Sequence, residues 1–303
     1  MLPLSGLIPA TITPMHPDGT VNLDQVPAIV DRLVQYRVGG LYVCGSTGEG
    51  PLLTTEERKA VAEAYVKAAA GRVPVIIQTG HASNWESRGL AAHAAAIGAD
   101  GISALPPIYF KPDSLDMLIQ CLKEVADGAP DLPFYYYHIP PLTSVAFDMR
   151  AFLREAPAAI PSLAGFKFSS HLLQEFQACI DQAQGRFQLY FGVDDMYVSG
   201  YAIGATGAVG STYNFMAPIY QAAKAAYDAG DSPRAFQLQV EAGRIIAKIL
   251  EFKGMAGLKG VMKMLGLDCG PCRLPLHTLN DAEYASLKEA LERVNFFETW
   301  AMN

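Results

Sequence analysis

Short apolar segments alternate with segments of helical periodicity along roughly the first 225 residues of the chain. Eight of the apolar segments are predicted to be buried β-strands: Leu7–Ile12, Leu41–Val43, Val73–Gln78, Gly101–Leu105, Phe134–Ile139, Ile160–Phe168, Phe187–Phe191 and Ala208–Val209. A helix is predicted after each strand, and eight strand–helix repeats are typical of a (β/α)8 barrel. The alternative, an open doubly wound sheet, usually carries a nucleotide-binding glycine fingerprint after its first strand. This sequence has none there, so it predicts an α/β fold, a (β/α)8 TIM barrel.

Beyond Asp228 the pattern becomes purely helical. Three further helices are predicted over Pro233–Phe252, Gly257–Leu265 and Asp281–Val294, the last with Asn280 and Glu283 as cap residues. No flexible linker precedes this region. We therefore predict a barrel over residues 1–228, which carries the functional site, and a helical annex over residues 229–303, packed on the barrel.

The composition disfavours several functional classes. The chain of 303 residues is 50% hydrophobic and has a formal net charge of −7, which disfavours non-specific binding to nucleic acid or anionic membranes. No apolar run reaches the ~20 residues that a membrane-spanning helix needs, and the N-terminus lacks the features of a signal peptide. Five cysteines, an odd number in a chain of this size, indicate reduced thiols. We therefore expect a cytoplasmic protein whose partners are small molecules.

Cys269 and Cys272 form a C-x-x-C motif around Pro271. A zinc site would need a second pair of ligands at a suitable spacing, and the sequence has none. A local turn is therefore favoured over a metal or redox site, and we expect no metal.

A single lysine, Lys167, lies in the predicted sixth strand between Phe166 and Phe168. Side chains alternate along a strand, so both phenylalanines face one way and the lysine faces the other. A solitary ammonium on a covered face is costly, and desolvation favours the neutral amine, which is a nucleophile able to form a Schiff base. The structural alternative is a lysine that reaches the strand end and pairs with a carboxylate. This segment alone favours that alternative.

In a barrel of this kind, active residues lie at the C-terminal ends of the strands. The polar residues and glycine at these predicted ends are Ser46, Thr47, Tyr137, His138, Lys167, Ser169, Gly192, Asp194, Asp195 and Ser211. Most have a structural alternative: Ser46 and Thr47 as turn formers, Tyr137 as a packing residue, and the two aspartates as helix caps. His138 falls on the opposite face from Tyr137 and is interpreted as structural.

At these residues the sequence resembles the pyruvate-dependent class I aldolases of the N-acetylneuraminate lyase and dihydrodipicolinate synthase superfamily. The resemblance covers nearly the whole chain. Its motifs are Gly45-Ser46-Thr47-Gly48-Glu49, Tyr137 followed by Ile139-Pro140, and Gly165-Phe166-Lys167-Phe168-Ser169. Two longer strings, Tyr135–Pro140 and Gly204–Asn214, look like the animal-type N-acetylneuraminate lyases.

The resemblance implies a Schiff-base mechanism without a metal or organic cofactor. Lys167 would attack the C2 ketone of N-acetylneuraminate, and Tyr137 would remove the C4 hydroxyl proton as the C3–C4 bond breaks to release N-acetylmannosamine and leave pyruvate. Ser46 and Thr47 match the positions that hold the substrate carboxylate, and Ser169 lies beside the lysine. The positions that contact the sugar tail match Gly192, Asp194, Asp195 and Ser211. Relatives are typically homotetramers, and Tyr109 falls where some of them lend a tyrosine to a neighbouring subunit.

Two positions bear on the choice of substrate. Dihydrodipicolinate synthases usually carry an arginine where this chain has Leu142, which disfavours synthase activity. N-acetylneuraminate lyases usually have Asp-Glu where this chain has Asp194-Asp195, and the shorter side chain reaches a sugar hydroxyl less well. A bridging water could fill that gap. Two alternatives therefore stay open: a pyruvate lyase for another 2-keto-3-deoxy sugar acid, and a catalytically silent sugar-acid binding protein.

Overall fold

A computed structural model describes residues 4–300; residues 1–3 and 301–303, the outer ends of the predicted barrel and annex, lie outside the described part. Its eight parallel strands are β1 Gly6–Pro9, β2 Leu41–Val43, β3 Val75–Gln78, β4 Gly101–Ala104, β5 Phe134–His138, β6 Leu163–Phe168, β7 Gln188–Phe191 and β8 Gly207–Gly210. Their order is β1-β8-β7-β6-β5-β4-β3-β2, and a bridge from Ala10 to Tyr42 joins β1 to β2. The predicted TIM barrel is therefore confirmed.

Helices follow the strands as expected. The helices around the barrel are α1 Val26–Gln35, α2 Thr55–Ala69, α3 Asn84–Ala96, α4 Leu115–Ala126, α5 Pro140–Thr143, α6 Met149–Ala159, α7 Leu173–Ala183, α8 Tyr197–Ala202 and α9 Tyr213–Asp228. Those of the annex are α10 Ser232–Glu251, α11 Met255–Met264, α12 Asp281–Glu292 and α13 Phe296–Thr299. The short helices α5 and α13 were not predicted, because four residues are too few to show a helical period.

Alternation along the strands divides the core into two layers. Phe166 and Phe168 point outward and belong to the large cluster between the sheet and the helices, where Phe168 stacks on Phe176 of α7 at 5.2 Å between ring centroids. The barrel interior has its own smaller cluster, which includes Tyr42, Tyr135, Tyr137 and Tyr190. Successive side chains of β6 therefore lie in different layers, some between sheet and helices and others inside the barrel. The sequence predicts this for a strand covered on both faces.

The annex is attached to the barrel by polar contacts as well as by apolar packing. Arg273, in the segment between α11 and α12, donates hydrogen bonds to the Gly19 and Leu52 carbonyls and to the carboxylate of Glu57 on α2. Glu57 also completes the capping box with Thr54 at the start of α2. The carboxylate of Glu57 thus takes part both in the N-terminal cap of α2 and in the contact with Arg273.

The C-x-x-C motif has no regular secondary structure, and the local turn predicted around Pro271 is displaced to a turn that begins at Leu274. The carbonyl of Cys269 accepts a hydrogen bond from the N–H of Met15, and the N–H of Cys272 donates to Thr278. Burial raises the pKa of the Cys269 thiol to about 12 and that of Cys272 to about 11, so both stay protonated near neutral pH. Across residues 4–300, no three histidine, cysteine or acidic side chains are grouped as a metal site requires. Over the same span, no helix combines the length and apolarity needed to cross a membrane.

The contact between Glu57 and Arg273 predicts a pH-dependent contribution to stability. Hydrogen bonding to Arg273 lowers the pKa of Glu57 from 4.5 to about 2. A carboxyl whose pKa is lower in the folded state stabilises that state above its unfolded pKa, and the contribution disappears as the pH falls toward the folded pKa. We expect Glu57→Gln to lower the free energy of unfolding at pH 7 by about 1–2 kcal/mol, since partial exposure screens the pair below the ~3 kcal/mol that the pKa difference alone implies.

Urea unfolding at a series of pH values from 7 to 3 checks this prediction. The difference in free energy of unfolding between wild type and Glu57→Gln should be largest above pH ~5 and should decrease steadily below it. Glu56→Gln is the matched control, because Glu56 is exposed and pairs only with Lys59 in its own helix. If this difference in free energy stays constant with pH, the charge of Glu57 does not contribute to stability.

Candidate active site

The side chain of Lys167 points into the barrel interior and is only 5% exposed. Its Nζ lies 4.1 Å from the ring centroid of Tyr137 and 4.7 Å from that of Tyr42. Among residues 4–300, no carboxylate lies within ion-pair distance of this amine. The structural alternative raised from the sequence, a lysine paired with an acid at the strand end, is therefore not what the fold forms.

Tyr42 and Tyr137 make an aromatic wall beside the amine. Their rings meet edge to face at 5.7 Å between centroids, and the Tyr42 hydroxyl hydrogen-bonds to Ser103 at 2.9 Å. Burial, reinforced by the neighbouring Tyr137, raises the pKa of Tyr42 well above its ordinary value. Tyr42 therefore stays neutral and presents its ring to the lysine. The sequence analysis did not select Tyr42, although it lies one residue before the end of β2, as Lys167 does in β6.

Ser46 and Thr47 lie in the loop that follows β2. The loop folds back on itself through hydrogen bonds from the Glu49 N–H to the Ser46 carbonyl and from the Gly50 N–H to the Gly45 carbonyl. A Cβ atom at Gly50 would lie 1.9 Å from the Cys44 carbonyl oxygen, so only glycine fits there. The two residues are indeed turn formers, and the turn also orients them toward β8.

A hydrogen bond of 2.7 Å joins the hydroxyls of Thr47 and Ser211, which follow β2 and β8. These two strands flank β1 in the closed barrel, so their C-terminal ends are close although the residues are far apart in sequence. The predicted carboxylate-binding loop and one predicted sugar-binding residue are thus brought together.

A cavity of about 330 Å³ opens between the ends of the strands and helices α10 and α11. Five predicted site residues line it: Ser169, Gly192, Asp194, Asp195 and Ser211. The annex contributes an apolar wall, made by Ile246, Ile249, Leu250 and Leu258. A larger groove of about 710 Å³ between α10 and the segment after α12 contains none of the predicted residues. The smaller cavity is therefore the candidate site for a substrate that combines polar and apolar groups.

Gly192 adjoins both the cavity and the lysine. A Cβ atom there would lie 2.2 Å from Ser169 Oγ and 3.2 Å from Lys167 Cε, so any larger residue would displace them. The Oγ atom of Ser169 is buried and has no hydrogen-bond partner among the described residues. A buried hydroxyl without a partner is costly, and a bound ligand could satisfy it.

The two aspartates after β7 have different environments. Asp194 is held by the N–H and hydroxyl of Thr212, at 2.9 and 2.7 Å. Burial raises the pKa of Asp194, while these hydrogen bonds and the charge of Lys167 oppose the rise. Asp195 is exposed at the rim. Neither side chain caps α8, so the capping alternative is wrong for that helix.

The structure separates other candidates from this site. His138 points outward, stacks on Phe168 at 5.1 Å and has its pKa lowered to about 4 by burial, in agreement with a structural role. Leu142 is 67% exposed, and Tyr109 is 81% exposed beside Phe110. Thr212 was missed although it directly follows Ser211, because nothing in the sequence indicates its bond to Asp194.

Known proteins resemble this chain over nearly its whole length. The model of the dihydrodipicolinate synthetase family matches residues 3–294. The N-acetylneuraminate lyase of Rattus norvegicus is 41% identical over 298 residues, or 97% of this chain and 93% of that protein. N-acetylneuraminate lyase A of Xenopus laevis is 41% identical over 279 residues, 91% of each chain.

Solved structures give the same result. The N-acetylneuraminate lyase of Proteus mirabilis superposes with a TM-score of 0.94 at 38% identity, covering 97% of this chain and 99% of that one. The sialic acid aldolase of Aliivibrio salmonicida gives a TM-score of 0.94 at 36% identity, with 98% of both chains covered. A dihydrodipicolinate synthase of Bacillus anthracis gives 0.90 at 27% identity, covering 96% of this chain and 99% of that one. This chain therefore belongs to the dihydrodipicolinate synthetase family.

Proposed function

We propose that this chain is a lyase, a Schiff-base aldolase that reversibly cleaves N-acetylneuraminate to N-acetylmannosamine and pyruvate. The observation that carries the proposal is the amine of Lys167, buried in the barrel interior without an acidic partner among residues 4–300. A protein that only binds a sugar acid has no use for such an amine. The N-acetylneuraminate lyases that match over more than 90% of this chain support the choice of substrate.

In the first step, the nitrogen of Lys167 attacks the C2 ketone of the open-chain substrate. The carbinolamine formed loses water and becomes an iminium ion. Its positive nitrogen accepts the electron pair released at C3 in the next step, which is why we propose that neither a metal nor an organic cofactor takes part. The tyrosine rings beside the amine exclude water, and their faces stabilise the cationic iminium.

In the second step, the Tyr137 phenol takes the proton of the C4 hydroxyl and passes its own proton to the substrate carboxylate as the C3–C4 bond breaks. N-acetylmannosamine leaves as the aldehyde, and an enamine of pyruvate remains on Lys167. Protonation at C3 and hydrolysis of the imine then release pyruvate and the free amine. The 4.1 Å between Nζ and the centre of the Tyr137 ring supports this role, because a substrate joined to the amine would lie beside the phenol side chain.

The remaining predicted residues bind different parts of the substrate. Ser46 and Thr47 bind its carboxylate, for which a turn that offers hydroxyls and backbone N–H groups is suited. Ser211 joins this turn to the cavity through its bond to Thr47. In the cavity, the hydroxyl tail meets Ser169, Gly192 and the two aspartates at 194 and 195.

Several features of the wider molecule are part of the same proposal. The barrel of residues 1–228 carries the chemistry, and the annex of residues 229–303 closes one side of the cavity. Family likeness supports a cytoplasmic homotetramer in which Tyr109 reaches toward a neighbouring subunit, and the exposure of Tyr109 and Phe110 is consistent with an interface there.

The runner-up is a pyruvate lyase for another 2-keto-3-deoxy sugar acid. Asp195 favours it, because this exposed side chain is one methylene shorter than the usual glutamate. Synthase activity is disfavoured, since Leu142 offers no charge to a second substrate carboxylate.

Borohydride reduction in the presence of pyruvate tests the proposal. We expect one stable adduct per chain, located at Lys167 by peptide mass spectrometry, because Lys167 is the amine that we propose forms the imine. Lys167→Ala should fold normally, form no adduct and lose all cleavage of N-acetylneuraminate. Lys59→Ala, which removes an exposed amine on α2, should retain both properties.

The outcomes separate the alternatives. No adduct in the wild type would leave only the binding protein. An adduct without cleavage of N-acetylneuraminate would favour another sugar acid. Near wild-type turnover in Lys167→Ala would refute the mechanism.

Tyr137→Phe tests the proton transfer separately from imine formation. We expect kcat for cleavage to fall by about 10²–10⁴-fold while pyruvate is still trapped by borohydride, because the ring remains but the phenol hydroxyl is lost. Tyr136→Phe is the matched control: its hydroxyl faces the outer layer and has no hydrogen-bond partner among the described residues. Equal effects of the two substitutions would contradict a specific role for Tyr137.

Asp195→Glu tests the substrate. If N-acetylneuraminate is already the substrate, with a water between Asp195 and the sugar tail, KM should change by less than about tenfold and kcat should hardly change. The measurement is the ratio of kcat/KM for N-acetylneuraminate to that for shorter 2-keto-3-deoxy sugar acids. A gain of more than about a hundredfold for N-acetylneuraminate would favour the runner-up. Asp181→Glu, at an exposed position on α7, is the control.

A further inference from the structure

The loop that carries Ser46 and Thr47 is joined to the annex through one buried side chain, Glu49. Its carboxylate lies 2.6 Å from Nζ of Lys259 on α11 and accepts a hydrogen bond of 2.8 Å from the N–H of Arg273. Both partners come from the annex, more than 200 residues further along the chain. No barrel strand contributes to this contact.

The backbone of Glu49 is itself part of the Ser46–Thr47 turn, so fixing its carboxylate also fixes the turn. Glu49 has a left-handed conformation, with φ of 55°, and its N–H donates to the Ser46 carbonyl at 3.0 Å. A second clamp comes from the barrel, where the hydroxyl of Thr13 donates to the Gly48 carbonyl at 2.6 Å. The turn is therefore fixed between the barrel on one side and the annex on the other.

The ion pair is completely enclosed. The side chains of Glu49 and Lys259 are 0% and 4% exposed, and Lys259 also donates to the Pro271 carbonyl at 2.7 Å. An enclosed ion pair is a weak source of stability, since apolar residues of the same volume often stabilise a fold equally well. Its distinguishing property is position, because the close opposite charge of Lys259 and the hydrogen bond from the Arg273 N–H together hold the carboxylate in one place.

We propose that Glu49 and Lys259 are positioning residues that hold the Ser46–Thr47 turn in its carboxylate-binding geometry. This inference rests on the proposed function of that turn. The annex then has a second task beyond closing the cavity, which is to orient the Thr47 hydroxyl for the carboxylate that pyruvate and the sugar acid share. The pair of Glu49 and Lys259, called the brace below, affects binding of the carboxylate and does not alter the amine of Lys167.

The double variant Glu49→Gln/Lys259→Met tests the proposal without leaving an unpaired buried charge. The readout is the pyruvate concentration that gives half-maximal inactivation by borohydride, which depends on carboxylate binding whichever sugar acid is the substrate. We expect this concentration to rise about tenfold or more, while the rate at saturating pyruvate stays within about threefold. Thr47→Val should raise it in the wild type but add little in the double variant, because the hydroxyl is already misplaced.

Two further variants complete the experiment. Arg88→Gln/Glu124→Gln removes an ion pair of 2.8 Å between α3 and α4 and should leave the pyruvate dependence unchanged. Glu49→Asp keeps the charge but shortens the brace, so it should also weaken pyruvate binding, and it provides the test if the double variant does not fold.

An unchanged pyruvate dependence in a folded Glu49 variant would overturn the brace, as would a Thr47→Val effect of equal size in both backgrounds. A wild-type protein that pyruvate and borohydride do not inactivate would instead overturn the proposed function itself, and the brace with it.

Discussion

The burial of one amine among aromatic rings is the constraint on which the rest of this molecule depends. Inside the barrel, Lys167 has lost most of its contact with water, a cost that is normally offset by a paired acid. Here the faces of Tyr42 and Tyr137 take that place. Ring faces attract a cation only weakly compared with a carboxylate, so the amine is not locked in an ion pair. Under the proposed function, the nitrogen is therefore available to attack a ketone, and the ring faces lie beside the iminium that forms.

Closure of the barrel explains why the other polar groups assemble around this amine. Because β1 pairs with β8 and meets β2 at the bridge from Ala10 to Tyr42, the loops after β2 and β8 lie side by side. Asn214 strengthens the same junction, since its amide donates to the carbonyls of Ala10 and Ser211. The hydroxyls of Thr47 and Ser211 meet only because the ring of strands is closed.

The sequence predicted those parts of the molecule that follow from local periodicity. Alternation around Lys167 and the cap residues Asn280 and Glu283 needed only neighbouring residues, and the structure confirms both placements. Contacts between distant residues left no such signal. The bond from Asp194 to Thr212 and the pair of Glu49 with Lys259 depend on how loops from different repeats meet, which no periodicity encodes. Alternation turns the adjacent phenylalanines away from Lys167. It does not indicate that tyrosines from β2 and β5 lie beside the amine.

The arrangement also separates chemistry from recognition. Lys167 and Tyr137 belong to the packed interior, where any change of volume disturbs the barrel core. The cavity proposed for the rest of the substrate is lined by Ser169, Gly192 and Ser211 near the strand ends, and the apolar residues of α10 and α11 form one of its walls. Asp195 is exposed at its rim and makes no hydrogen bond within residues 4–300, so it is free to vary without cost to the fold. Under the proposed function, a barrel built this way can exchange one sugar acid for another at the rim while the chemistry at the lysine stays the same, which fits the occurrence of both lyases and synthases on one fold.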